Sequence, residues 1–90
     1  MFVVVSYDII DDRVRQRVAN ILEDYGVRVQ YSVFEIEIDE KHFEIMKERI
    51  FKEIDKTSDK IHFYFLCNDC KKKIEYVGER ETEDEEVYII

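Results

Sequence analysis

The residues that could do chemistry begin with an acid at the end of a short apolar run. Asp8 follows the run FVVVSY, and a carboxylate at the end of a buried strand is well placed to hold a hard cation such as magnesium. One carboxylate per chain suffices if two copies converge, because magnesium keeps several water ligands. Asp11 and Asp12 could join as outer ligands. Acids in the first turn of a helix also have a plainer explanation, which is that exposed amide groups favour them there.

Basic side chains follow Asp8 closely. Arg13 and Arg17 are four residues apart and share one face of a helix. Around a metal held by Asp8, such guanidinium groups could clamp phosphates. The alternative is a solvated helix face whose arginines pair with acids. The four bases are Arg13, Arg15, Arg17 and Arg28.

A single C-x-x-C, formed by Cys67 and Cys70, is the other candidate motif. Zinc needs four ligands, and His42 and His62 belong to separate elements, so an intrachain zinc site is not expected. The two cysteines are interpreted as structural thiols or as a clip across a turn. The adjacent basic run, Lys71 to Lys73, could track a phosphate backbone or be an exposed turn.

The first half of the chain must position these groups. Phe2 to Tyr7 is apolar and rich in β-branched residues, which predicts a buried strand. Asp11 or Asp12 caps a helix that Gly26 ends. From Val27 the apolar residues alternate with period two.

The alternation changes phase at Val33 and Phe34, which indicates either a bulge or two strands meeting there. Asp39 caps a second amphipathic helix. An aromatic strand runs from Ile61 to Cys67, and Asn68 and Asp69 form a turn. A further short strand covers Ile74 to Val77. The order βαββαβ predicts an α+β, ferredoxin-like fold.

Ninety residues make a single domain. The expected parts are a ferredoxin-like domain at 1–78, an acidic linker at 79–86 and a C-terminal docking strand at 87–90, which would add to a sheet edge. The strands at Phe2 to Val5 and Phe63 to Leu66 are apolar on both faces. Because helices cover only one face of such a sheet, we expect a homodimer through the open one.

Charge and hydropathy limit the classes of partner. The net charge is −8, but residues 79–86 hold six acids and one base, which leaves −3 for the rest. An acidic total therefore does not exclude nucleic acid if bases cluster on one face. No apolar run is long enough to span a membrane, so a cytoplasmic protein without a membrane partner is expected.

Four segments together resemble a known family. They are VVVSYDI, RVRQRV, YGVRVQYSVFE and the aromatic strand after the second helix. Over residues 1–78 the chain looks like the small CRISPR-associated adaptation protein, family two of that system. The resemblance implies a ferredoxin-like homodimer, a metal-dependent endonuclease, and a partner of the CRISPR integrase in spacer acquisition.

The resemblance also implies roles for residues. Asp8 matches the catalytic aspartate that binds magnesium, or manganese, across the dimer two-fold axis. Arg15, Arg17 and Arg28 resemble positions that handle nucleic acid, while Ser32 and Phe34 match residues near that site.

Several functions stay open at this point. One is hydrolysis of RNA or DNA. Another is a non-catalytic dimeric scaffold that binds nucleic acid for the integrase. A weaker possibility is a regulatory dimer that binds a small ligand.

Overall fold

The computed structural model describes residues 1–78 of the chain. These residues form four strands and three helices. In chain order they are β1 (Phe2–Asp8), α1 (Asp12–Glu23), β2 (Val27–Gln30), β3 (Val33–Glu37), α2 (Glu40–Phe51), β4 (Lys60–Leu66) and α3 (Asn68–Lys72). The order of the first six elements confirms the ferredoxin-like prediction.

The strands form one antiparallel sheet in the order β2-β3-β1-β4. In the centre of this sheet, Val5 of β1 lies opposite Phe34 of β3 and Phe63 of β4. Side chains alternate across a strand, and Val3 and Val5 are fully buried in the core between the sheet and the helices. Each helix in turn contributes a buried stripe, with Val18, Ala19, Ile21 and Leu22 from α1 and Phe43, Met46 and Ile50 from α2.

Side-chain caps begin both long helices, as the sequence predicts. The Asp11 carboxylate accepts hydrogen bonds from the amides of Arg13 and Val14 at 2.8 and 3.1 Å. The Asp39 carboxylate accepts one from the amide of His42 at 2.8 Å. These bonds satisfy amide groups that the first turn of a helix otherwise leaves unpaired.

Gly26 follows α1 and leaves room for the neighbouring strand. A Cβ atom at this position would lie 2.4 Å from the carbonyl oxygen of Glu35 and 2.5 Å from Cγ1 of Ile36. Real Cβ atoms do not approach backbone that closely, so glycine is needed here for space, and the chain can turn from α1 into β2 directly against β3.

The open face of the sheet, on the side away from α1 and α2, contains Val4, Ser6 and Asp8 of β1 with His62 and Tyr64 of β4. Val4 is half-buried, whereas Tyr64 is 52% exposed. This face therefore carries apolar area, which agrees with the pattern from which a homodimer is expected.

One end of the open face is covered by the chain itself. Nζ of Lys71, in α3, lies 4.9 Å from the centre of the Phe2 ring and 3.6 Å from Oε1 of Glu37. Phe2 is consequently buried, with 8% of its surface exposed. The aliphatic stem of a lysine can cover an aromatic ring while its charge stays at the surface.

The predicted strand at Ile74 to Val77 is wrong. Tyr76 makes only an isolated bridge there, and the predicted turn at Asn68 and Asp69 begins the helix α3. The aromatic strand also ends at Leu66, because Cys67 caps this helix with its side chain. An acid in the first turn and lysines in the last turn further favour α3.

The phase change in the first hairpin comes from two strands meeting. β2 and β3 are joined by a tight turn at Tyr31 and Ser32, and the register irregularity lies between Arg28 and Gln30.

The predicted linker at 79–86 and docking strand at 87–90 lie outside the described residues. Within residues 1–78, no helix is long and apolar enough to cross a membrane.

Replacing Gly26 with alanine should destabilise the fold by about 1–3 kcal/mol, since the new methyl group must displace the backbone of β3. Urea denaturation measures the change, with Glu23→Ala on the exposed surface of α1 as the control. An unchanged urea midpoint for Gly26→Ala would contradict the close approach of Gly26 to β3.

Candidate nucleic-acid and metal site

Asp8 is the last residue of β1 and is exposed. Its Cα lies opposite that of Lys60 in β4. Because side chains alternate along a strand, Asp8 shares the open face with Val4 and Ser6. The carboxylate therefore stands at one end of the open face, where a second chain packed on that face could also reach it.

Asp11 and Asp12 have structural partners in the same turn of chain. The amide hydrogen bonds from Val14 and Arg13 hold the pKa of Asp11 below its ordinary value. Asp12 forms an ion pair with Arg15. Among residues 1–78 no group of three or more acidic, histidine or cysteine side chains could hold a metal ion. The structure thus supports the helix-start explanation for both acids.

Arg15 ties the start of α1 to the end of β1. Its Nη1 donates to the carbonyl oxygens of Ile9 and Ile10 at 2.8 and 3.3 Å, and the pairing with Asp12 raises the pKa of this guanidinium above its ordinary value. The side chain is 24% exposed. Arg15 is therefore a fixed positive charge that still reaches the surface.

Arg28 extends the same charged surface from β2. Its Nη2 donates to the Tyr7 hydroxyl at 3.3 Å, and this hydroxyl donates to the carbonyl oxygen of Tyr31 at 3.3 Å. The Arg28 Cζ lies 5.3 Å from the Phe34 ring centre and 5.9 Å from that of Tyr31. The Arg15 Cζ lies 5.8 Å from the Tyr31 ring centre. We refer to these five residues, Tyr7, Arg15, Arg28, Tyr31 and Phe34, as the arginine–aromatic cluster.

The cluster and Asp8 occupy the same end of β1 but different faces of the sheet. Tyr7 is 4% exposed and its ring stacks on Phe34 at 6.3 Å, on the side of the helices. Asp8 is the next residue and hence faces the opposite side. The two predicted groups are therefore neighbours across the strand end, and the arginines do not surround Asp8 on one face.

The other predicted bases are placed differently. Nε of Arg17 donates to Oε2 of Glu53 at 2.8 Å, which is the surface pairing that the sequence left as an alternative. Arg13 is exposed in the first turn of α1. Lys71 lies over Phe2, whereas Lys72 and Lys73 are exposed.

Ser32 and Phe34 support the cluster from within the hairpin. The Ser32 carbonyl oxygen accepts a hydrogen bond from the amide of Tyr7 at 3.1 Å, so the turn is attached to the end of β1. Phe34 is fully buried beneath Arg28. Both residues hold the exposed groups in place.

Tyr7 and Tyr31 are the members of the cluster that sequence reasoning missed as site residues. The alternation of period two that begins at Val27 includes Tyr31 as a strand residue, but Tyr31 occupies the turn and is 70% exposed. An aromatic residue in a two-residue turn between alternating strands was the available signal.

Both histidines, His42 and His62, are exposed at the surface. His42 contacts the Asp39 carboxylate through Nδ1 at 2.7 Å, and its amide and side chain both lower the pKa of Asp39. Nδ1 of His62 lies 3.0 Å from the Tyr64 hydroxyl on the open face.

Comparisons of the sequence with a family model and with curated proteins point to the same family. The sequence model described as CRISPR associated protein Cas2 matches residues 1–74. A CRISPR-associated endoribonuclease Cas2 of Nitratidesulfovibrio vulgaris is 40% identical over 91 residues, covering 96% of this chain and 89% of the relative.

Solved structures agree with the sequence comparison. A crystal structure of Streptococcus pyogenes Cas2 at pH 6.5 superposes with a TM-score of 0.79 and 35% identity, covering 87% of this chain and all of that one. A chain of a partial Cas6-RT-Cas1–Cas2 complex superposes with a TM-score of 0.63 and 29% identity, covering 81% and 86%.

Proposed function

This chain belongs to the CRISPR-associated protein Cas2 family, and on that premise we propose that it is a metal-dependent endoribonuclease that acts in CRISPR adaptation. The single observation that supports this most is the exposed Asp8 carboxylate at the end of β1, with fixed guanidinium groups at the same strand end. RNA is the proposed substrate because the curated relatives are named endoribonucleases.

Asp8 is the proposed catalytic residue and the proposed ligand of magnesium, or of manganese. Its oxygens suit such ions, and its exposure leaves room for their water ligands. When bound, the ion would supply an activated water and neutralise charge on the scissile phosphate. Since no group of three or more possible ligands occurs among residues 1–78, we propose that Asp8 of a second copy completes the site.

A homodimer through the open face would bring the two Asp8 residues onto one surface. The half-buried Val4 and the exposed Tyr64 supply apolar area for such packing. The proposed docking strand at 87–90, reached through the linker at 79–86, would add to a sheet edge of this assembly.

The arginine–aromatic cluster is the proposed substrate-holding surface. Arg15 and Arg28 would bind phosphates, and the exposed ring of Tyr31 would stack on a base. Arg13 and Arg17 would add further phosphate contacts. The contact of Arg17 would be weaker, because this side chain must first break its ion pair with Glu53. Phosphate contacts and stacking do not discriminate strongly between sequences.

The second candidate function is a non-catalytic scaffold that binds nucleic acid for the CRISPR integrase. The observation that favours it is the similarity to a chain of the Cas1–Cas2 complex. Such a scaffold would use the same arginines but would not need Asp8 for chemistry, so the two functions separate at this residue.

Asp8→Asn should retain the fold and abolish metal-dependent RNA cleavage. The amide is nearly isosteric, but two negative charges are lost across a dimer, and magnesium depends on carboxylate charge to stay bound. We expect a rate loss of about a thousandfold or more. Cleavage of single-stranded RNA in magnesium, circular dichroism and sedimentation should be measured on one preparation.

The matched control is Asp69→Asn, which removes another exposed carboxylate charge, in the first turn of α3. This variant should cleave RNA at the parent rate. A folded Asp8→Asn protein that cleaves as fast as the parent would contradict Asp8 as the catalytic residue. The cleavage would then belong to another residue or to another protein in the preparation, and the scaffold would become the favoured function.

Replacing both Arg15 and Arg28 with alanine should weaken RNA binding equally for unrelated sequences. It should also reduce the slope of log affinity against log salt by about 0.7 for each lost phosphate contact. Fluorescence anisotropy at several salt concentrations measures this, with Lys52→Ala at the end of α2 as the control. An unaltered slope would remove the cluster from the binding surface.

A further inference from the structure

Cys67 and Cys70 form a pair of thiols that the proposed nuclease does not use. Cys67 directly follows β4, and Cys70 lies in α3. Both thiols are free and exposed. Exposed thiols can react with reagents in solution, in contrast to buried structural cysteines, which are inert.

The two side chains already contact one another. The Cys67 sulfur accepts a hydrogen bond from the amide of Cys70 at 3.4 Å. Residues three apart at the start of a helix have Cα atoms about 5 Å apart, which lies within the range that a disulfide spans. This separation is compatible with a disulfide between the two residues.

The contact makes the two thiols unequal. The amide and the thiol of Cys70 lower the pKa of Cys67, because both stabilise a Cys67 thiolate. The neighbouring Cys67 thiol in turn raises the pKa of Cys70. The Cys67 sulfur is thus suited to attack a disulfide, and the Cys70 thiol is suited to resolve the mixed disulfide that results.

Stabilisation of the fold explains the pair less well. A disulfide between these residues would close a loop of only four residues, and the stabilisation from a crosslink falls as the loop shortens. The arrangement instead resembles the general requirement for thiol–disulfide exchange, which is an exposed nucleophilic thiol beside a second thiol that resolves the intermediate.

We propose that Cys67 and Cys70 form a redox-active dithiol that exchanges with low-molecular-weight disulfides, with Cys67 as the attacking thiol and Cys70 as the resolving thiol. This activity is separate from RNA cleavage and does not depend on Asp8 or on the arginine–aromatic cluster.

The exchange proceeds in two balanced steps. The Cys67 thiolate attacks one sulfur of the disulfide, and the broken S–S bond releases one thiolate with its electron pair. Cys70 then loses its proton to solvent and attacks the Cys67 sulfur, which expels the second thiolate. In total the protein loses two electrons and two protons, and the small disulfide is reduced to two thiols.

The test uses the reduced full chain, with glutathione disulfide as the probe at pH 7 and intact mass after acid quenching. The wild-type protein should lose two hydrogen masses and retain no glutathione. Cys70→Ser should accumulate one glutathione, on Cys67. Cys67→Ser, its matched variant, should react about fivefold or more slowly, because it lacks the Cys67 sulfur, whose thiolate the amide of Cys70 stabilises.

The same reactions in urea separate the folded arrangement from the local sequence. Unfolding removes the contact between the thiols and leaves Cys70 beside Lys71 and Lys72, so the rate advantage of Cys67 should disappear. Equal rates of the two single variants in the folded state would overturn the proposal. So would a rate advantage that persists in urea, or a wild-type chain that keeps one glutathione on each cysteine.

Discussion

The pairing of β1 with a strand on each side is the constraint on which the rest of the structure depends. Val5 lies opposite Phe34 and Phe63, so the register of the central strand is fixed from both edges. A shift by one residue would move every buried side chain of β1 to the other face. The same pairing therefore determines both the core and the direction in which the last residues of β1 point.

That direction explains the layout of the candidate site. Tyr7 turns inward and binds Arg28 and the carbonyl of Tyr31, whereas Asp8 turns to the open face. Arg15, in the first turn of α1, donates hydrogen bonds to two carbonyl groups of the loop that follows β1. A carboxylate and a fixed cationic surface are thus placed at one strand end by alternation and local hydrogen bonds.

The sequence predicted what local rules determine. Asp11 and Asp39 are caps because helix starts need acceptors, and the apolar run of β1 is a strand because it is short and rich in β-branched residues. Local rules do not predict contacts between distant parts of the chain. The ion pair of Arg17 with Glu53 is an example, because the two residues are 36 apart in the sequence. The strand predicted at Ile74 to Val77 failed because four residues give too short a pattern. The turn predicted at Asn68 and Asp69 is instead the start of α3, because Cys67 caps a helix there.

The central claim is that the end of β1 is a metal site, and manganese can locate that site independently of cleavage. Paramagnetic Mn²⁺ titrated into the isotopically labelled protein should broaden the amide signals of Tyr7, Asp8 and Ile9 in the NMR spectrum before others, and Asp8→Asn should remove this effect. Broadening that begins instead in the acidic segment 79–86, and that is identical in the Asp8→Asn protein, would contradict the account.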